Sequence, residues 1–282
     1  MFNFSKINGR SLFTTVRGYT ILILFAIVFL IPFYWMFATA LKGDDQLFQI
    51  PPAWVPNPAV WDNFAQVFRE VPFGKFLINS TVLVIWNVFG QVLSCTLVAY
   101  GFARLRFPGR NILFFVLLAT LMIPRQVTLV PQFILFAKLG WVNTYLPLIL
   151  PAFGGSPFLI FLMRQYMMTI PLDLDAAATI DGANRLQILR HIIAPISMPA
   201  IVLVAVFTFT DVWNDFMGPL IYLNDPDKFT VTLGLSFFQG AKETSWDLLM
   251  AGALMAMIPP MILFFIAQKR LLGGLAAAGI KG

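Results

Sequence analysis

The stretch "DAAATIDGANRLQILRHIIAP", residues 175–195, is small-sided and polar in a chain that is otherwise apolar enough to sit in lipid. It reads as two short helices around a turn. Pro171 suits a first helical turn, and Asp173 and Asp175 place negative charge at the positive end of the helix that follows. Ala176, Ala177 and Ala178 combine high helix propensity with almost no bulk, a surface that another protein's backbone can approach closely. Asp181-Gly182 ends this helix, because glycine readily takes the left-handed conformation that a sharp reversal needs. In the second helix Leu186, Leu189 and Ile193 share a face by their i, i+3, i+7 spacing, with Arg185 and Arg190 elsewhere. Pro195 then breaks the chain. Physical chemistry alone leaves two readings open: a knob that docks into a soluble partner, or an amphipathic loop helix resting on headgroups.

The surroundings of this stretch decide the fold class. Of 282 residues, 59% are hydrophobic and 11% charged, with mean hydropathy +0.81; a soluble domain is about 25% charged. Apolar runs reach the roughly 20 residues that a helix needs to cross a bilayer, whereas barrel strands alternate in polarity over about 10. An all-α integral membrane protein is therefore expected. Six transmembrane helices are placed at 19–41, 77–103, 112–132, 144–163, 196–222 and 248–270. The first, at 23 residues, exceeds the apolar core of a signal peptide (about 7–15), so it is expected to be retained in the membrane despite Ala38-Thr39-Ala40 resembling a cleavage site. Gly154-Gly155-Ser156-Pro157 predicts a bend in the fourth, where neighbours or water must satisfy freed backbone groups.

Lysines and arginines set the orientation. With the N-terminus inside, 12 of the 19 face the cytoplasm, among them Arg104, Arg106 and Arg110 in one short loop. Both termini and the 175–195 stretch are then cytoplasmic. Outside lies "FQIPPAWVPNPAVWDNF", residues 48–64, whose prolines exclude a regular helix. It is either a structured lid or an interfacial aromatic belt around Trp54 and Trp61. The net charge of +6 comes without a basic, aromatic-interleaved stripe, so no nucleic acid is expected as partner. The lone Cys95 sits in an apolar run and reads as packing.

The 175–195 stretch resembles the cytoplasmic coupling motif of the inner-membrane permeases of ABC importers: EAA, three residues, G, nine residues, I-x-L-P. With Gly182 as the glycine, the EAA positions are Ala176, Ala177 and Ala178, and the end of the motif falls on Ile192, Ile193, Ala194 and Pro195. Two positions depart: Ala176 stands where the motif has glutamate, with Asp175 one place earlier, and Ala194 replaces leucine. The glutamate of such permeases is expected to meet a basic residue on the ATPase. Either that contact is missing here or Asp175 makes it from a shifted angle. "VWNDFMGPLIYLND", "FTVTLGLSFFQG", "IPPMILFFIAQKRLLGGL" and "AAAGIKG" resemble the maltose-type carbohydrate permeases, as do "RFPGRN", "LMIPRQVTLVPQF" and "LGWVNTYLPLILP". The chain looks like the shorter, six-span partner of a permease pair in that family.

The resemblance implies a type I ABC importer permease fold and a multi-pass protein of a prokaryotic inner membrane. Residues 1–70 would hold the N-terminal segment, first span and external loop; residues 71–282 would hold the permease core, with the coupling loop at 165–195 and a C-terminal tail. It further implies a sister permease forming a heterodimer, two ATP-binding subunits that carry ATP and Mg, an extracytoplasmic sugar-binding protein and a carbohydrate cargo. Asp175 to Ala178, Asp181, Gly182, Ala183, Arg185, Leu186, Leu189, Arg190, Ile192 and Pro195 would face the ATPase. Gly279, Lys281 and Gly282 would reach between the ATPase subunits, or else form a flexible end. The sequence itself contains no G-x-x-x-x-G-K-[ST] phosphate loop, so nucleotide chemistry is expected on another chain.

Polar residues inside the spans supply candidates for the path. Thr208, Asp211 and Asp215 share a face of the fifth span, and a charge at the bilayer centre costs roughly 2.5–3.5 kcal/mol on insertion scales. Asp211, Trp213, Asn214 and Asp215 therefore either line a sugar route, or fix packing against the sister permease or anchor the outer interface; Asn87 and Gln91 in the second span are weaker candidates for the same path. An alternative function is a stand-alone channel or ion-coupled carrier using the two acids. An enzyme is disfavoured, since the one histidine, His191, lies in the loop and no metal cluster or nucleophile–base pair stands out.

Overall fold

The structure, a computed structural model, describes residues 9–240 and 244–279, with side chains over 16–124, 126–240 and 244–268. Among the described residues the chain is helical, with an isolated bridge between Gln239 and Thr244 and no strand. It divides into two compact units, Met1–Glu70 with Phe238–Met255, and Val71–Phe237 with Ala256–Gly282.

The first unit is built on α1 (Gly9–Ala40), with α2 (Asp44–Leu47) and α3 (Asp62–Glu70) after it. The span Val16–Ala40 is apolar on all sides and only 6% buried, as a helix bathed in lipid or partner would be. The proline-rich stretch that follows is structured without being helical. Gln46 clamps it by donating from Nε2 to the Asn57 carbonyl at 2.9 Å and accepting the Asn57 N–H at 3.1 Å. Asn63 donates to the carbonyls of Ala40 and Lys42, at 3.0 and 2.9 Å, satisfying the orphan acceptors at the end of α1. Trp35 meets Trp54 edge-on at 5.3 Å and carries Lys42 Nζ 4.1 Å from its ring centroid.

The second unit is organised around α4 (Phe73–Arg104). It continues with α5 (Arg110–Ala119), α6 (Arg125–Lys138), α7 (Leu146–Ile149), α8 (Pro157–Met168), α9 (Asp173–Ile180), α10 (Arg185–Ile188), α11 (Ala194–Ile196), α12 (Met198–Trp213), α13 (Met217–Tyr222) and α14 (Val231–Gly234). A last helix, α15 (Trp246–Gly279), runs from the first unit into the second. The core of the second unit gathers Cys95, Ala99 and Tyr100 of α4, Ile160 and Met163 of α8, Ala200 and Val204 of α12, and Ala178, Ile188, Leu189 and Ile193 from the 175–195 segment.

Val16–Ala40, Phe73–Arg104, Leu146–Met168 and Trp246–Gln268 are long and apolar enough to cross a membrane, and the count reaches six if each of two bent pairs is one span. The expected third and fifth spans are not single helices. Ile123 is extended (φ −87°, ψ 112°), as the residue before Pro124 prefers, so α5 and α6 are separate and turned by more than 40°. The fifth stops at Trp213 and restarts at Met217. There Asp215 Oδ1 accepts the Gly218 N–H at 3.1 Å, and a Cβ on Gly218 would collide with the same carboxylate. Pro219 falls within the first turn of α13, where a missing N–H costs nothing.

The bend expected at 154–157 is present, with Gly155 at φ +76°. Side chains of α4 satisfy the backbone it frees. Asn87 Nδ2 donates to the Leu148 carbonyl at 3.0 Å, onto which Pro151, lacking an N–H, cannot close a 3-10 bond. Ser94 Oγ donates to the Phe153 carbonyl at 2.5 Å, four residues before Pro157. Gln91 Oε1 accepts the Ser156 N–H at 2.9 Å. Gly90 lets the two segments close, since a Cβ there would lie 2.8 Å from the Phe153 ring.

Candidate functional site

The 175–195 segment is held by local devices. α9 begins two residues beyond Pro171 and has Asp173 and Asp175 in its first turn. It ends in a Schellman motif: Gly182, at φ +86°, donates to Thr179 at 3.1 Å, and Ala183 donates to Ala178 at 2.9 Å. Asn184 and Gln187 then form a capping box at the start of α10, with reciprocal bonds of 3.0 and 2.8 Å. A π-helical turn over Leu189–Ile193 leads into α11, and the chain turns by 78° into α12.

The apolar face differs from the expected one. Ile188, Leu189 and Ile193 are buried, whereas Leu186 is 66% exposed and Ile180 86%. The π turn, one residue wider than an α turn, brings Ile193 onto the buried face of Ile188 and Leu189, whereas Leu186, before it on α10, lies away from that face. Ala176, Ala177, Asp181, Gly182, Arg185, Arg190 and Pro195 are exposed, Ala183 and Ile192 half-buried and Ala178 buried. His191 is exposed and rests its Nδ1 3.1 Å from the Gln187 carbonyl.

Asp175 does not join the outward surface. Its Oδ2 lies 2.9 Å from Arg104 Nη1, with side-chain exposures of 12% for the acid and 3% for the arginine. Arg104 had registered in the sequence only as part of the charge bias of its loop. Lys281 and Gly282 of the expected tail contact lie outside the described residues, as do Lys6 and Lys242; Gly279 is the last residue of α15.

The second feature is a cavity of about 790 Å³ within the second unit. Asn87, Gln91, Asp211 and Asp215 all line it. So do Gln126, Thr128, Gln132, Thr208 and Tyr222, with Phe158 and Phe207 on the apolar wall. The glutamines of α6 were missed because they lie in a run that reads as one apolar helix through Pro124. Their signal was Thr128 and Gln132, polar residues four apart and therefore on one face of α6.

Trp213 and Asn214 do not line this cavity. Trp213 is 4% exposed, stacks on Phe209 at 5.5 Å and donates Nε1–H to the Ala256 carbonyl at 3.0 Å. Ala256 is four residues before Pro260, whose missing N–H leaves that carbonyl without its helical donor. The indole therefore serves as a backbone partner inside the bundle. Asn214 turns back to the Thr210 carbonyl at 2.8 Å.

Apolar spanning helices around a polar cavity, with a small-residue segment packed against them, define a membrane-embedded transport protein. The model of the binding-protein-dependent transport system inner membrane component family matches residues 95–275, and the chain belongs to that family. Over 221 residues it is 38% identical to the osmoprotective compounds uptake permease protein GgtD of Synechocystis sp., covering 78% of this chain and 74% of that one. Over 228 residues it is 35% identical to the arabinooligosaccharides transport system permease protein AraQ of Halalkalibacterium halodurans, covering 80% and 81%. Its fold matches that of a chain in the crystal structure of a bacterial ABC transporter involved in the import of the acidic polysaccharide alginate. The TM-score is 0.80 at 20% identity, over 94% of this chain and 98% of that one. The protein is thus an inner-membrane permease with the ABC importer permease fold.

Proposed function

We propose that this chain is one of two permeases forming the translocation path of an ATP-driven carbohydrate importer. The observation that carries the reading is the lining of the cavity. Four carboxamides (Asn87, Gln91, Gln126, Gln132), the hydroxyls of Thr128 and Thr208, and the carboxylates of Asp211 and Asp215 offer donors and acceptors for a polyhydroxylated cargo. Phe158 and Phe207 supply apolar wall against which sugar faces rest. Relatives named for arabinooligosaccharide transport and for alginate import support the cargo class.

In this account the exposed surface of the 175–195 segment docks a cytoplasmic ATPase subunit, which binds ATP and Mg. A sister permease completes the path, a second ATPase subunit completes the motor, and an extracytoplasmic binding protein delivers the carbohydrate. Both termini are cytoplasmic. The test begins with an extracytoplasmic binding protein captured with this chain, screened against neutral and acidic oligosaccharides. The oligosaccharide it retains is then offered to proteoliposomes holding the permease pair with or without the ATPase subunits. ATP-dependent uptake supports the reading; ion-driven uptake by the permeases alone would establish a stand-alone carrier instead.

A further inference from the structure

Moving an acid by one residue along an α-helix rotates it by about 100° about the axis. Asp175 accordingly shares an inward face with buried Ala178, while Ala176 and Ala177 are exposed. On that inward face it meets Arg104, the last residue of α4, at 2.9 Å. The other terminal nitrogen of the guanidinium, Nη2, donates to the carbonyls of Met167 and Ile170, each at 2.8 Å. Met167 lies in the last turn of α8 and Ile170 two residues beyond the helix, at the C-terminal end where a cation is favoured. One guanidinium therefore joins α4, the end of α8 and the first turn of α9. Tyr100, one turn earlier on α4, donates its O–H to the Arg185 carbonyl at 3.2 Å and ties in the far half of the segment. A planar arginine fork suits such fixed acceptors in a way that lysine does not.

We propose that Arg104 and Asp175 form an internal clasp that positions the 175–195 segment on α4, so that the acid works within this chain and not on the ATPase. The clasp delivers movement of the segment to the helix whose Asn87 and Gln91 line the cavity. Arg104 is a positioning residue, touching neither nucleotide nor cargo. The inference rests on the docking reading above, and it has a consequence for the partner: the ATPase surface opposite Ala176 and Ala177 faces small apolar side chains and needs no base there.

The test uses the assembled complex in proteoliposomes, with Asp175→Asn and Arg104→Lys variants. ATPase subunits are expected to co-purify with both. ATP hydrolysis in the absence of binding protein and carbohydrate is expected to rise by about two- to thirtyfold, the range over which linking residues modulate coupling. Loss of the ATPase subunits from the Asp175→Asn complex would place the acid in the interface and overturn the clasp. Unchanged hydrolysis in both variants would overturn it as well. A measurement on the unmutated complex covers the case in which a variant fails to fold: carbodiimide coupling of an amine to carboxylates, read by peptide mass spectrometry. The clasp predicts protection of Asp175 whether or not the ATPase subunits are bound, with exposed Asp173 and Asp181 labelled once the subunits are stripped. Labelling of Asp175 only after they are stripped would contradict it. If the subunits never co-purify with the unmutated chain, the docking reading fails, while the labelling still decides the clasp.

Discussion

At the scale of single residues, several polar side chains within the membrane-spanning region serve the backbone first. Trp213 fills the hydrogen-bonding gap that Pro260 leaves at Ala256. A Trp213→Phe variant keeps the aromatic packing and loses the donor, stranding a buried carbonyl at a cost of about 1–3 kcal/mol. Thermal unfolding in detergent should show a lowered midpoint, while the transport KM of the surviving protein stays unchanged; a raised KM would put the indole on the cargo path. Gly182 makes a different demand. At φ +86° it tolerates no side chain without strain, so Gly182→Ala should cost about 1–2 kcal/mol. The strain falls on the turn between α9 and α10, so ATPase co-purification should weaken while insertion into the membrane is preserved.

At the scale of elements, α4 carries a polar ladder, Asn87, Gln91 and Ser94, that makes the broken fourth span affordable in a membrane. Gln91→Leu leaves the Ser156 N–H without its acceptor and should destabilise by about 1–3 kcal/mol, measured as a lowered unfolding midpoint. It also removes a polar group from the cavity wall, so uptake by the folded fraction should fall. The bend itself was legible, because adjacent glycines followed by a proline state their effect locally. The breaks after Ile123 and Trp213 were not, because the apolar content of a window outweighs one Pro124 or one Asp215. The helix–turn–helix of residues 175–195 was legible through its spacing, down to the glycine that ends α9. The direction of its acid was not: Asp175 and Ala176 are neighbours in sequence and about 100° apart on the helix. The partner that decides the direction, Arg104, lies 71 residues away in the chain.

At the scale of the whole molecule, an exposed segment and a polar cavity hang on the same helix. Tyr100 and Arg104 hold the segment at one end of α4, and Asn87 and Gln91 line the cavity further along. That arrangement suits a subunit in which force applied at one place opens or closes a path at another. Reversing the exposed pair, Arg185→Glu with Arg190→Glu, should leave the permease inserted and the cavity intact but uncouple ATP hydrolysis from uptake. The most direct test of the account is oligosaccharide uptake by proteoliposomes containing this chain and its sister permease, measured with and without the ATPase subunits in the presence of ATP and loaded binding protein. Uptake is expected only when the ATPase subunits are present; equal uptake in their absence would contradict an ATP-driven importer.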